Sequence, residues 1–89
     1  MTSQGSSLSQ ADIDRVWVRV MRTARAYGID VSGWELRVGT NQRSQQRTSW
    51  CIEDQTGQCL LALGYTRRTA YDGLTVMGDV LDLLLGFKT

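Results

Sequence analysis

Histidine is absent from this 89-residue sequence. With it go the commonest general base, the Ser-His and Cys-His nucleophile pairs, and the commonest zinc ligand. Cysteine is scarce: Cys51 and Cys59 are the only two, and two thiols at this spacing do not make a metal site. They read as reduced thiols of a cytosolic protein. The Gly39-Thr-Asn-Gln-Arg-Ser run lacks the Gly-x-x-x-x-Gly-Lys pattern of a phosphate-cradling loop. Glu53 and Asp54 adjoin a turn, where solvated carboxylates are routine. No catalytic residue, cofactor or metal is expected, and the chain does not read as an enzyme.

Charge of one sign is also missing. Ten basic and nine acidic residues leave a net +1, so no global field points to nucleic acid, a membrane surface or an acidic substrate. No apolar run, Leu83-Leu84-Leu85 included, approaches the ~18 residues of a membrane span. The start of the chain shows no basic segment followed by an apolar one, so no secretion signal is expected. A soluble, cytoplasmic protein follows, of one small domain that buries only about 60–65% of its unfolded surface. That size leaves little room for an enclosed active site.

The periodicities that are present predict a compact order of elements. Residues 1–8 are small, polar and aperiodic and read as a disordered tail, leaving 9–89 as the single domain. Ser9 and Asp12 resemble a capping box, and Ile13, Val16, Trp17, Val20, Ala24 and Tyr27 follow at helical spacing up to Gly28. From Val31 the period becomes two, with Trp34, Leu36 and Val38 on one face of a strand. Thr40 to Gln46 is a polar loop. Alternation resumes at Thr48, Trp50 and Ile52, a turn falls at Asp54-Gln55-Thr56-Gly57, and a third strand spans 58–65. Closed by a four-residue loop, this hairpin sets Ile52 opposite Cys59, Trp50 opposite Leu61 and Cys51 opposite Leu60, so that the cysteines point apart. A three-residue loop with a bulge sets them diagonally on one face; in neither geometry is a disulfide expected.

The last helix is capped by Thr66, carries Ala70, Leu74, Met77, Leu81 and Leu84 on its main apolar stripe, and should end at Gly86. The fold class is therefore α+β, a two-layer α-β-β-β-α domain with a three-stranded antiparallel sheet and two helices packed on one face. Trp17, Trp34 and Trp50 are expected in its core.

Function must then be read from surfaces. Arg15, Arg19 and Arg22, at i, i+4 and i+7, form a basic ridge on the first helix, with Arg25 close by. Val76, Val80 and Leu83 make a second apolar shoulder on the last helix, either packed under the first helix or exposed as a contact for a partner or a second copy. Cys51, Leu60 and Ala62 among Glu35, Arg37 and Glu53 mark the outward sheet face. Arg67 and Arg68 occupy the first turn of the last helix, where the helix dipole disfavours cations, so either an anion is received there or Asp72 answers Arg68 locally.

The element order and the Arg67-Arg68-Thr69-Ala70-Tyr71 opening resemble the double-stranded RNA-binding domain, whose last helix starts with a Lys-Lys-x-Ala-Lys motif on phosphates. Arg67, Arg68 and Ala70 match, while Tyr71 replaces the last lysine and the loop from Gly39 to Arg47 lacks the Gly-Pro-x-His element. That resemblance implies nucleic-acid binding through Arg67, Arg68, Asn41 and Arg43. Leu-Gly-Tyr-Thr-Arg-Arg-Thr-Ala-Tyr-Asp-Gly-Leu, from Leu63 to Leu74, resembles the Leu-Gly-x-Thr-Lys-Arg-Glu-Ala-Tyr-Asp-Ala-Leu ending of small actinobacteriophage proteins. It implies a phage product in a bacterial host cytoplasm that binds a host or phage protein. The leading expectation is a non-enzymatic protein-interaction module contacting its partner through Arg15, Arg19 and Arg22 or through Val76, Val80 and Leu83; nucleic-acid binding is the alternative, and a homodimer on the apolar shoulder the third.

Overall fold

The computed structural model describes residues 8–40 and 48–88. In chain order it contains α1 (Gln10–Tyr27), β1 (Glu35–Thr40), β2 (Thr48–Glu53), β3 (Cys59–Gly64) and α2 (Arg67–Lys88). The three strands form one antiparallel sheet in the order β1-β2-β3, with the helices on one face, as the hydropathy pattern required. The expected tail at 1–8 lies outside the described residues except for Leu8, and the polar loop, with Asn41 and Arg43, lies outside them from residue 41 to 47.

Local chemistry explains the helix starts. Ser9 Oγ accepts from the Asp12 N–H while Asp12 accepts from the Ser9 N–H, a reciprocal box that also holds the Asp12 carboxyl below the usual carboxylate range. Thr66 and Thr69 repeat the device with hydroxyls: the Thr69 N–H donates to Thr66 Oγ1 at 3.0 Å and the Thr66 N–H to Thr69 Oγ1 at 3.1 Å. The turn into α2 needs Gly64, whose φ of 101° and whose closeness to Thr69, 2.6 Å from an ideal Cβ to Oγ1, leave no room for a side chain.

The two helices run parallel. Arg67 near the start of α2 donates to the Leu8 carbonyl just before α1, Arg19 meets Asp79 and Asp82, and Lys88 donates to the Tyr27 carbonyl at the far end. Between helices and sheet lie Ile13, Val20, Met21, Ala24, Val31, Trp50, Ile52, Leu63, Ala70 and Leu74, all buried. Of the three tryptophans only Trp50 is fully enclosed; Trp17 and Trp34 are half-buried and pack on the margin of this core.

Three expectations are corrected. The β2–β3 register is Glu53 with Cys59, Ile52 with Leu61, Cys51 with Ala62 and Trp50 with Gly64, not the pairing of a four-residue loop. The hairpin takes the other geometry the spacing allows, a three-residue loop with a bulge: it closes through residues 55–57, the Asp54 N–H donating to the Gln58 carbonyl and the Gly57 N–H to that of Asp54, with Gly57 at φ 87°. β3 then gains a residue on β2 twice, at Leu60 between the Glu53 and Ile52 pairs and at Leu63 between the Cys51 and Trp50 pairs. Second, this places Cys51 and Cys59 on the same outer face with Cα atoms 6.0 Å apart, and they form a disulfide rather than two free thiols. Third, α2 does not stop at Gly86 but continues through Phe87 and Lys88. A helical glycine costs only about 1 kcal/mol, and the Lys88 ammonium, 4.7 Å from the centre of the Tyr27 ring as well as bonded to its carbonyl, ties down the last turn.

Candidate functional site

The two flanks of α2 have opposite character. Toward α1, Gly78 removes the side chain at the point of closest approach, and the Arg19 guanidinium lies over it, about 3.0 Å from where a Cβ would stand. From there Arg19 reaches Asp82 at 2.5 Å and Asp79 at 2.9 Å. Those two carboxylates, Asp82 first, raise the Arg19 pKa further above its ordinary value. The guanidinium thus serves as a clamp between helices.

The basic ridge consequently loses its middle member to the partly solvated seam between the helices. Arg15 remains on the outer face, 3.5 Å from Asp12, and Arg22 and Arg25 are exposed with no ion pair to any described residue. Exposed Val18 lies between Arg15 and Arg22.

On the other flank α2 overhangs the sheet. A 22-residue helix is about 33 Å long and a six-residue strand about 20 Å, so a sheet of short strands cannot cover it. Gly73 touches Leu63, but beyond it the shoulder is bare: Val76 is 59% exposed, Val80 47% and Leu83 59%. Because the helix continues past Gly86, Phe87 joins this row and is 78% exposed, with Leu84 beside it at 39%. The spacing 76, 80, 83, 87 is the 4-3-4 seam of a coiled-coil helix. Phe87 was missed in the sequence because Gly86 reads as a stop; the signal that would have found it is that heptad spacing.

Beside the row a trough of about 310 Å³ opens between the helices and the residue 28–34 connection, lined by Val20, Ala24, Ile29, Trp34, Val76, Met77, Val80 and Leu81. Its walls carry almost no polar surface. Such a cavity attracts an apolar side chain and offers nothing to orient a polar substrate.

The remaining candidates are internally answered. On the outer sheet face Arg37 bridges Glu35 at 2.6 Å and Glu53 at 3.5 Å beside the disulfide. At the start of α2, Arg68 Nε lies 3.2 Å from Asp72 Oδ2 and Arg67 donates to the Leu8 carbonyl at 3.2 Å, so each has a partner within the chain. Arg67 and Arg68 are brought together with no described part of the β1–β2 loop, since Asn41 and Arg43 lie outside the described residues. Among the described residues no helix is long and apolar enough to cross a membrane. Compared with family models, with curated proteins and with solved structures, the chain finds no match in any of the three.

Proposed function

We propose that this chain is a non-enzymatic protein-interaction module whose contact surface is the free flank of α2. The observation that carries this reading is the apolar trough continued by Val76, Val80, Leu83 and Phe87, a surface that lacks polar groups for chemistry and exposes more apolar area than scattered surface residues do. The likeness to small actinobacteriophage proteins supports a phage product that works in a bacterial host cytoplasm and binds a host protein. Cytoplasmic thiols tend to reduce exposed disulfides. The Cys51–Cys59 pair sits on the outer sheet face, away from α2, so the contact surface does not depend on its redox state.

Capture of proteins from an actinobacterial lysate tests this reading. The wild-type chain should retain a partner that Val80→Asp loses and that a double Arg15→Ala, Arg22→Ala variant keeps. Retention of every captured protein by Val80→Asp, or loss only in the arginine variant, would remove α2 as the contact.

The alternative, nucleic-acid binding through Arg67 and Arg68, requires both side chains to leave their present partners. A gel-shift titration with duplex RNA and DNA checks it, and binding of this kind weakens steeply as salt rises. No shift at low salt and micromolar protein retires it.

A further inference from the structure

We infer that the free flank of α2 is self-complementary, and that its occupant is the α2 of a second copy of this chain, paired antiparallel about a two-fold axis. This rests on the interaction reading above and names its partner. The seam Val76, Val80, Leu83, Phe87 has the spacing that packs against another helix of the same repeat, and each copy carries both halves of the fit. Phe87 is the knob, and the trough walled by Val76, Met77, Val80 and Leu81 is the hole. Knob and hole lie 11 residues apart on one straight helix, about 16 Å.

An axis passing between Val80 and Leu83 sets Phe87 of each copy against Val76 of the other, and Val80 of each against Leu83 of the other. Four apolar layers result. Every contact then occurs twice, as an isologous interface requires, and the pair closes without leaving a seam open to a third copy.

Area and charge agree with this occupant. At the exposures given above the four seam residues present about 400 Å² of largely apolar surface, and about 500 Å² with Leu84, the parts of Val76 and Val80 that wall the trough included. Two copies therefore remove at most about 1,000 Å², below the ~1,200 Å² at which standard specific interfaces begin, which fits a weak, concentration-dependent dimer. Asp79 flanks the seam but stands level with position 84 of the other copy, five residues or about 7.5 Å along the axis from its own symmetry mate, and it is paired with Arg19 of the same chain. The antiparallel arrangement also opposes the two helix dipoles.

Sedimentation equilibrium of the full chain over low to high micromolar concentrations tests the inference, with Phe87→Ala and, as a control on the far side of α1, Val18→Asp. Phe87 is too exposed for its truncation to unfold the domain, which far-ultraviolet circular dichroism verifies. The expected result is a concentration-dependent dimer whose dissociation constant rises about tenfold or more in Phe87→Ala and stays within about twofold in Val18→Asp. A wild-type chain that remains monomeric throughout overturns the inference, as does a dimer that Phe87→Ala leaves unchanged. Such a monomer, if it still loses a lysate partner through Val80→Asp, leaves the interaction reading standing with a different protein as the occupant. Loss of neither overturns both.

Discussion

One flank of α2 is closed and the other open, and the two are built from different chemistry. Toward α1 the helix meets its neighbour through a glycine, two aspartates and an arginine that reaches across from the other helix, so contact is close and charge is answered. Its other flank presents valine, leucine and phenylalanine in a regular row that is about half exposed or more, Val76 and Val80 forming the rim of the apolar trough. A helix in a small domain can bury only as much of its circumference as the second layer can cover. Here the second layer is a sheet of six-residue strands under a 22-residue helix, so apolar surface is left over on the flank opposite Gly78.

The comparison can be tested from its centre outward. Leu74 lies on the wholly buried side of α2, and Leu74→Ala should cost about 2–5 kcal/mol, read as a fall in the urea midpoint. A Leu74→Ala chain that matched wild type would break the distinction between the faces at once. Next comes the disulfide, which closes a short loop between residues already joined by a hairpin. Reduction, or Cys59→Ser, should lower stability by about 1–3 kcal/mol without altering self-association, because the bond lies on the opposite face of the sheet from α2.

Arg19→Ala addresses the closed flank directly. It should lower the thermal midpoint by less than Leu74→Ala does, and the gap from wild type should narrow as salt is added, since the ion pairs are partly solvated. A deficit that salt left unchanged would mean that packing over Gly78, rather than charge, holds the seam.

Acid should act weakly on both flanks. Hydrogen bonds from Ser9 to Asp12, from Ser32 to Asp30 and from Thr56 to Asp54 hold these three carboxyls below their ordinary values. A carboxyl depressed in the folded state adds stability above its unfolded pKa and loses it as pH falls through the folded value, so the loss should begin only below about pH 4. Thermal unfolding across an acid series would reveal it. Smallest of all should be the effect of Phe87→Ala on the unfolding of the dilute, monomeric chain, within about 0.5 kcal/mol of wild type. A large effect there would show the open flank to be part of the fold.

Much of this architecture is legible in the sequence because the signals are local. The Ser9–Asp12 box, the Asp54–Gly57 turn and the Thr66 cap each involve residues within four positions of one another, and each is found where the pattern sets it, while the strand read from Val31 begins only at Glu35, after a turn at 32–33. The pairing of Arg68 with Asp72 is of the same kind. What was missed depended on counting across the chain. The bulged hairpin with Cys51 and Cys59 on one face is one of the two geometries that spacing allows, but that their Cα atoms come within 6.0 Å and the thiols bond is decided by the paired strands and not by the spacing. Gly86 reads as a stop because nothing near it reveals Tyr27, whose carbonyl and ring hold the final turn.

The candidate surface divides in the same way. Hydrophobic periodicity and capping chemistry suffice for the two helices, the three strands and the existence of a second apolar row at Val76, Val80 and Leu83, because these follow from short-range spacing. Spacing is silent on which of two plausible faces meets a neighbour. Arg19 and Arg22 look equivalent on a helical wheel, yet one lies beside Gly78 and two aspartates about 60 residues away while the other faces solvent. That assignment was decided by which face of α1 packs on α2, and the exposure of the row ending in Phe87 by how little of α2 the six-residue strands cover, both long-range properties of packing that no window of sequence contains.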